Sequence, residues 1–154
     1  MITTGAMAPD FTLNRDGGGV VTLSALRPRA VVLFAYGSDG TPTCTNEVME
    51  FNTLQPEFVA AGVVVIGLSK DSVKIHDKFI AKMAITLPLA SDHGGQMMAD
   101  WGAFGAKLFF GKLVQAVLRQ TFLIDGTGQI AKIWQVNRVK GHAAAVLALV
   151  KATT

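Results

Sequence analysis

Residues 30–62 read AVVLFAYGSDGTPTCTNEVMEFNTLQPEFVAAG, and the fold turns on this stretch. Ala30–Tyr36 is an unbroken β-branched and aromatic run, the pattern of a strand buried on both faces. Turn-forming residues fill positions 37–43. A helix is expected from about Pro42, because proline suits the first helical turn and Thr41 is a good cap. Counted at about 100° per residue, Val48, Phe51, Leu54 and Phe58 share one arc with Cys44, which predicts the face that packs on a sheet. Pro56 removes a backbone donor, so a kink is expected there, and Gly62 ends the helix.

Downstream, Val63–Ser69 reads as a second buried strand. Asp71 or Ser72 then caps a helix reaching about Met83. A short strand at Leu87–Ala90 and a helix at Gly94–Trp101 come next. Ala103–Gln115 is apolar, broken by glycines and without a clean period, so it takes no assignment. Leu118–Ile124, the turn Asp125–Gly128 and Gln129–Val136 form the clearest hairpin, and a last helix spans about Gly141–Lys151. Upstream, Phe11–Leu13 and Val20–Leu23 flank Asp16–Gly19 as a small N-terminal β-hairpin. Strand, helix, strand, helix, then hairpin and helix imply an α/β fold, a mixed central sheet flanked by helices in the thioredoxin-like arrangement. With no repeat, linker or low-complexity tract, residues 1–154 are expected to form a single domain.

Composition excludes several classes. Half of the 154 residues are hydrophobic and 16% are charged, enough for a sizeable core and unlike a disordered chain. The net charge of +3 comes from scattered basic residues without aromatic interleaving, so no nucleic-acid partner is expected. The N-terminal MITTGAMAPDF has no basic region followed by an apolar one, and no apolar run reaches bilayer-spanning length. A cytoplasmic location with no membrane partner is therefore the expectation. A single cysteine, Cys44, rules out an intramolecular disulfide.

Few side chains offer chemistry. His76, His93 and His142 are far apart and read as surface or capping residues, so no metal is expected. Gly105–Lys112 faintly resembles a phosphate loop, but its glycine spacing is wrong and Leu113 stands where Ser or Thr would hold magnesium. Asp39, Asp92, Asp100 and Asp125 lie next to glycines or in turns and show no acid–base pairing. Cys44 remains. A lone cysteine is usually an inert small hydrophobe, but this one follows a buried strand at the first turn of a helix, where free N–H groups and the helix dipole favour a thiolate. Thr41 places a hydroxyl three residues before the sulfur.

From Ala8-Pro-Asp-Phe-Thr-Leu13 through Thr41-Pro-Thr-Cys-Thr45 to Arg119-Gln-Thr-Phe-Leu-Ile-Asp125 and Val139-Lys-Gly-His142, the chain resembles the peroxiredoxins of the bacterioferritin comigratory protein type, also called peroxiredoxin Q. The resemblance implies a thiol peroxidase without cofactor. Cys44 would attack the peroxide, Thr41 would bind it, and Arg119 would activate both; the backbone N–H groups of Thr43 and Cys44 are further candidate donors to substrate. Three departures stand out. Gly37 replaces the family's loop proline, Thr43 replaces a common glycine, and Met49 stands five residues after Cys44, where many relatives carry a resolving cysteine. Met49 falls outside the apolar arc and is expected to be partly exposed.

An unperturbed thiol with a pKa of about 8.5 is a few per cent ionised at pH 7, so complete ionisation gains at most about thirty-fold. A helix terminus supplies about 0.3 to 1 kcal/mol, leaving a cation such as Arg119 to do most of the rest and to stabilise the departing oxygen. With no second thiol, the sulfenic acid needs an external reductant: a thioredoxin-like protein, a glutaredoxin-like protein or a low-molecular-weight thiol. A monomer is expected rather than a dimer. Two other readings stay open at this stage, a peroxide sensor relaying oxidation to a partner protein and a non-catalytic thioredoxin-fold interaction module.

Overall fold

The computed structural model describes residues 2–153. Its main sheet has seven strands in the order β2-β1-β5-β4-β3-β8-β9, and a separate two-stranded sheet pairs β6 with β7. The strands are β1 (Thr12–Arg15), β2 (Val20–Thr22), β3 (Ala30–Ala35), β4 (Val63–Ser69), β5 (Leu89–Ser91), β6 (Phe104–Phe109), β7 (Lys112–Val117), β8 (Gln120–Ile124) and β9 (Ile130–Gln135). The helices are α1 (Pro42–Ala60), α2 (Val73–Met83), α3 (Gln96–Asp100) and α4 (His142–Ala152). β3, β4 and β5 run parallel, while β8 pairs antiparallel with both β3 and β9. The mixed α/β, thioredoxin-like fold expected from the element order is the one found.

β3 divides its side chains between two cores because successive residues of a strand face opposite sides of the sheet. Val32, Phe34 and Tyr36 pack with Val48, Phe51 and Phe58 of α1, Phe79 of α2 and Val146 of α4. Val31, Leu33 and Ala35 pack on the other side with Phe11, Met97, Met98 and Trp101. Phe34 stacks on Phe51 with ring centroids 4.3 Å apart, which fixes α1 over the end of β3. The residues that deliver Cys44 are thus among the most buried in the protein.

The helix ends follow local chemistry. α1 runs unbroken through Pro56, which is exposed, so its missing N–H falls on the solvent side. Gly62 takes φ +79°, the left-handed conformation that releases the chain into β4. The Ser72 hydroxyl, not Asp71, caps α2 by accepting the Ile75 N–H at 3.2 Å.

One unassigned stretch takes a definite structure, and one expectation is corrected. The stretch without an assignment, Ala103–Gln115, contains an exposed antiparallel hairpin in which Leu108 faces Leu113 and Phe109 faces Lys112. Two of the three histidines are not on the surface. His76 is fully buried, with Nδ1 2.6 Å from Asp39 Oδ2 and Nε2 3.0 Å from the Ala90 carbonyl. His142 is buried too, with Nε2 2.8 Å from the Thr121 hydroxyl. A ring nitrogen supplied with a partner no longer needs water, so burial becomes tolerable. His93 is exposed, as expected.

Candidate active site

Cys44 lies on the third residue of α1, directly after the loop that leaves β3. The first intrahelical bond runs from the Thr45 N–H to the Thr41 carbonyl at 2.8 Å. The N–H groups of Thr43 and Cys44 precede it, among the helix-start donors that have no intrahelical partner. Cys44 is only 4% exposed, and its sulfur touches the backbone edge of the loop: a side chain begun at Gly37 would stand 3.7 Å from Sγ. Glycine at 37 therefore sets no side chain against this flank of the sulfur.

Arg119 reaches this sulfur from the other end of the chain. The segment between β7 and β8 holds it in place, since its carbonyl accepts the Val136 N–H at 3.0 Å beside β9. Nη2 donates toward Cys44 Sγ at 3.3 Å while Nη1 donates to Glu47 Oε1 at 2.5 Å. One planar guanidinium thus spans a thiol and a carboxylate, a fork that an ammonium cannot reproduce. Burial pushes the Cys44 thiol up, but the Thr41 hydroxyl, the Ser38 backbone and Arg119 outweigh it and leave the thiol below its ordinary value.

Glu47 is the residue that sequence reasoning missed. It is 1% exposed, and its second oxygen, Oε2, has no hydrogen-bond partner among the described residues. Burial pushes its carboxyl up to about 7 against the opposing pull of Arg119. The signal was available: Glu47 is three residues after Cys44, a carboxylate inside an otherwise apolar arc.

Thr41 sits at the cap position of α1 but makes no side-chain capping bond; its hydroxyl donates to the Ser38 carbonyl at 3.0 Å. A hydroxyl has one proton and rotates freely, so the same proton swings to an anionic sulfur or a bound oxygen when one is present. The side chains of Thr41 and Thr43 are exposed. Of the expected site residues, Cys44 and Arg119 are in contact, Thr41 flanks the sulfur, and Thr43 contributes by its backbone position alone. Met49 is half-buried and leans on the α1 core. A cleft of about 440 Å³ opens beside Arg119, between Lys107, Leu118, Gln135 and Asn137, but Cys44 does not line it.

The loop is tied down beneath the sulfur. Asp39 accepts the Tyr36 hydroxyl at 2.5 Å and pairs with His76, while its N–H donates to Asp71 Oδ2 at 2.8 Å. Asp39, Asp71 and His76 bring ligand-type atoms within 4.8 Å of one another, a cluster that spacing in the sequence did not reveal. The hydrogen bonds already occupy both His76 nitrogens and both carboxylate oxygens of Asp39 and of Asp71. Asp39 is thereby an ion-pair partner, against the expectation that it had none.

Residues 4–133 match the AhpC/TSA family. The chain is 41% identical to "Peroxiredoxin Bcp" of Xanthomonas campestris over 143 residues, 93% of this chain and 89% of that protein. It superposes on a cysteine-to-serine mutant of Xylella fastidiosa PrxQ with a TM-score of 0.93 at 34% identity, covering 99% of this chain and 98% of that one. A yeast mitochondrial 1-Cys peroxiredoxin, studied for its thiol resolving mechanism via glutathione and thioredoxin systems, gives a TM-score of 0.84 at 26% identity, covering 99% and 76%.

Proposed function

Since the chain belongs to the AhpC/TSA family, within its Bcp/PrxQ peroxiredoxins, and is a thiol-dependent peroxidase, we propose that it works through Cys44 alone. In this reading Thr41 and Arg119 are the other catalytic residues, and an external thiol closes the cycle. The observation that carries the proposal is the Arg119 guanidinium 3.3 Å from the sulfur of the chain's one cysteine, at the first turn of α1.

The thiolate pushes an electron pair onto the near oxygen of the peroxide, forming an S–O bond as the O–O bond breaks. The O–O electrons leave on the far oxygen, which takes a proton and departs as water or alcohol; Cys44 becomes a sulfenic acid. Negative charge moves from sulfur to the far oxygen during this step. The Arg119 fork, the N–H groups of Thr43 and Cys44 and the Thr41 hydroxyl, once it turns from the Ser38 carbonyl, are the donors that receive it.

Resolution requires another molecule because Met49 offers no thiol. An incoming thiol condenses with the sulfenic acid to give a mixed disulfide and water, and a second thiol then releases Cys44. Peroxide turnover should be sustained by glutathione or a thioredoxin-like protein, and a mixed disulfide on Cys44 should be seen by mass. The reading is wrong if no thiol sustains turnover while one partner protein is stoichiometrically oxidised; that result would assign the sensor role.

A further inference from the structure

Among the described residues, β6 and β7 form a sheet that is hydrogen-bonded to no other strand. The hairpin leaves the body where the Leu118 N–H donates to the Ala103 carbonyl at 2.7 Å. Beyond Gly105 on the way out and before Ala116 on the way back, every residue is exposed. Leu108 is 69% exposed, Phe109 58%, Phe110 91% and Leu113 72%. None of them touches either core, so folding gains little from their apolar surface.

The tip has an unusual turn. Phe110 and Gly111 both take positive φ, +49° and +78°, the two-residue turn whose first position ordinarily holds Asn, Asp or Gly. A phenylalanine there is strained, and its ring projects into solvent beside that of Phe109. Leu108 and Leu113 lie opposite each other on one face of the hairpin; Phe109 and Lys112 lie opposite each other on the other. Lys107 and Val114 share the face of Phe109 and Lys112, so one face of the tip is apolar and the other sets an exposed ring beside two ammonium groups.

Charge names the occupant. No Asp or Glu occurs in residues 101–124, whereas Lys107 and Lys112 flank the tip, and Lys70 sits 4.5 Å from the Phe104 ring at the base. An apolar tip with ammonium groups on flexible stems along one face matches an anionic lipid surface: rings enter among the acyl ends while the lysine heads reach back to the phosphates. Phe110 lies three positions beyond Lys107, about 10 Å along an extended chain. That equals the interfacial depth at which water still reaches the hairpin's free edges, so no backbone group is stranded in hydrocarbon.

We propose that the β6–β7 hairpin docks this protein on membranes bearing anionic lipids, through Phe109, Phe110, Leu108 and Leu113 with Lys107 and Lys112. The inference does not depend on the peroxidase chemistry. The test is co-sedimentation of the full chain with vesicles of phosphatidylcholine alone or with one third phosphatidylglycerol, at low and physiological salt. Binding to the anionic vesicles only, weakened by salt, is expected. Phe110→Ser with Leu113→Ser, and separately Lys107→Gln with Lys112→Gln, should each lower the partition at least about ten-fold with an unchanged melting temperature. Failure to bind anionic vesicles, or equal binding by the Phe110→Ser, Leu113→Ser protein, overturns the proposal. It is equally overturned if the parent sediments as a dimer that this double variant converts to monomer, because the tip then serves a second copy of the chain.

Discussion

Replacing Arg119 by lysine keeps the charge and removes the fork. The guanidinium now donates through Nη1 to Glu47 at 2.5 Å and through Nη2 to Cys44 at 3.3 Å, on two sides of one plane. A lysine ammonium cannot make both contacts in that geometry. The buried Glu47, whose Oε2 already lacks a partner, competes for it. Losing one charge-assisted hydrogen bond to the sulfur costs about 1.5 to 3 kcal/mol, roughly ten- to more than hundred-fold in rate. Part of that loss enters through ionisation, since each unit of thiol titration is about 1.36 kcal/mol. Two measurements separate the parts: ultraviolet absorbance of the thiolate against pH, and the rate of peroxide consumption in competition with a peroxidase of known speed. Arg119→Lys should titrate at higher pH than the parent. It should also remain slow where Cys44 is fully ionised, because donors to the departing oxygen are gone. A rate within about two-fold of the parent at that pH, with an unmoved titration, would refute a direct role for the guanidinium.

The other expectations concern the loop, the buried histidine and the resolving position. Gly37→Ala places a methyl 3.7 Å from Sγ, ordinary contact distance, so the protein should melt within a few degrees of the parent while iodoacetamide alkylates Cys44 more slowly. An equal alkylation rate would mean that access does not run past Gly37. Both His76 nitrogens face acceptors, an arrangement that favours the imidazolium. Burial lowers its pKa, but the Asp39 bond and charge, the Ala90 carbonyl and Asp71 outweigh it and raise it above 6.5. Its stabilisation is full below pH 6.5 and is lost as pH rises through the higher folded value, at no more than about 1.4 kcal/mol per pH unit. Denaturant midpoints from pH 6.5 upward should fall more steeply in Cys44→Ser than in Cys44→Ser, His76→Gln; using that background removes the thiol, whose lowered value adds stability with rising pH over the upper part of the range. Parallel curves would show that His76 does not titrate there. Met49→Cys should form an internal disulfide with Cys44 only if α1 opens, because five residues of helix put the two positions about 7.5 Å apart in rise, beyond disulfide reach. Less overoxidation than the parent, with an internal disulfide by mass, is expected, and overoxidation unchanged would mean the helix start stays closed.

Legibility in the sequence followed the physics of burial. β3, β4 and α1 were readable because each is pressed on a core, and a continuous apolar run or a helical arc is what that contact selects. Ala103–Gln115 was not readable because beyond Phe104 its apolar residues answer to no core: with both faces of the outer hairpin in water, neither a two-residue nor a 3.6-residue period is imposed. The site divided in the same way. Local geometry placed Cys44 at a helix start, since strand, turn and helix are contiguous in the chain. The approach of Arg119, 75 residues away, followed from family resemblance and not from spacing. The partnerships of His76 with Asp39 and of Glu47 with Arg119 are tertiary contacts, and only the carboxylate in the apolar arc of α1 left a local trace.

Whether Cys44 is the group oxidised by peroxide is read out by intact mass after one equivalent of hydrogen peroxide in the presence of a sulfenic-acid trap. One trap adduct per chain is expected, mapped to Cys44, absent from Cys44→Ser, and replaced by a mixed disulfide when glutathione is added. An unmodified Cys44 in the parent, or undiminished peroxide consumption by Cys44→Ser, would contradict this expectation.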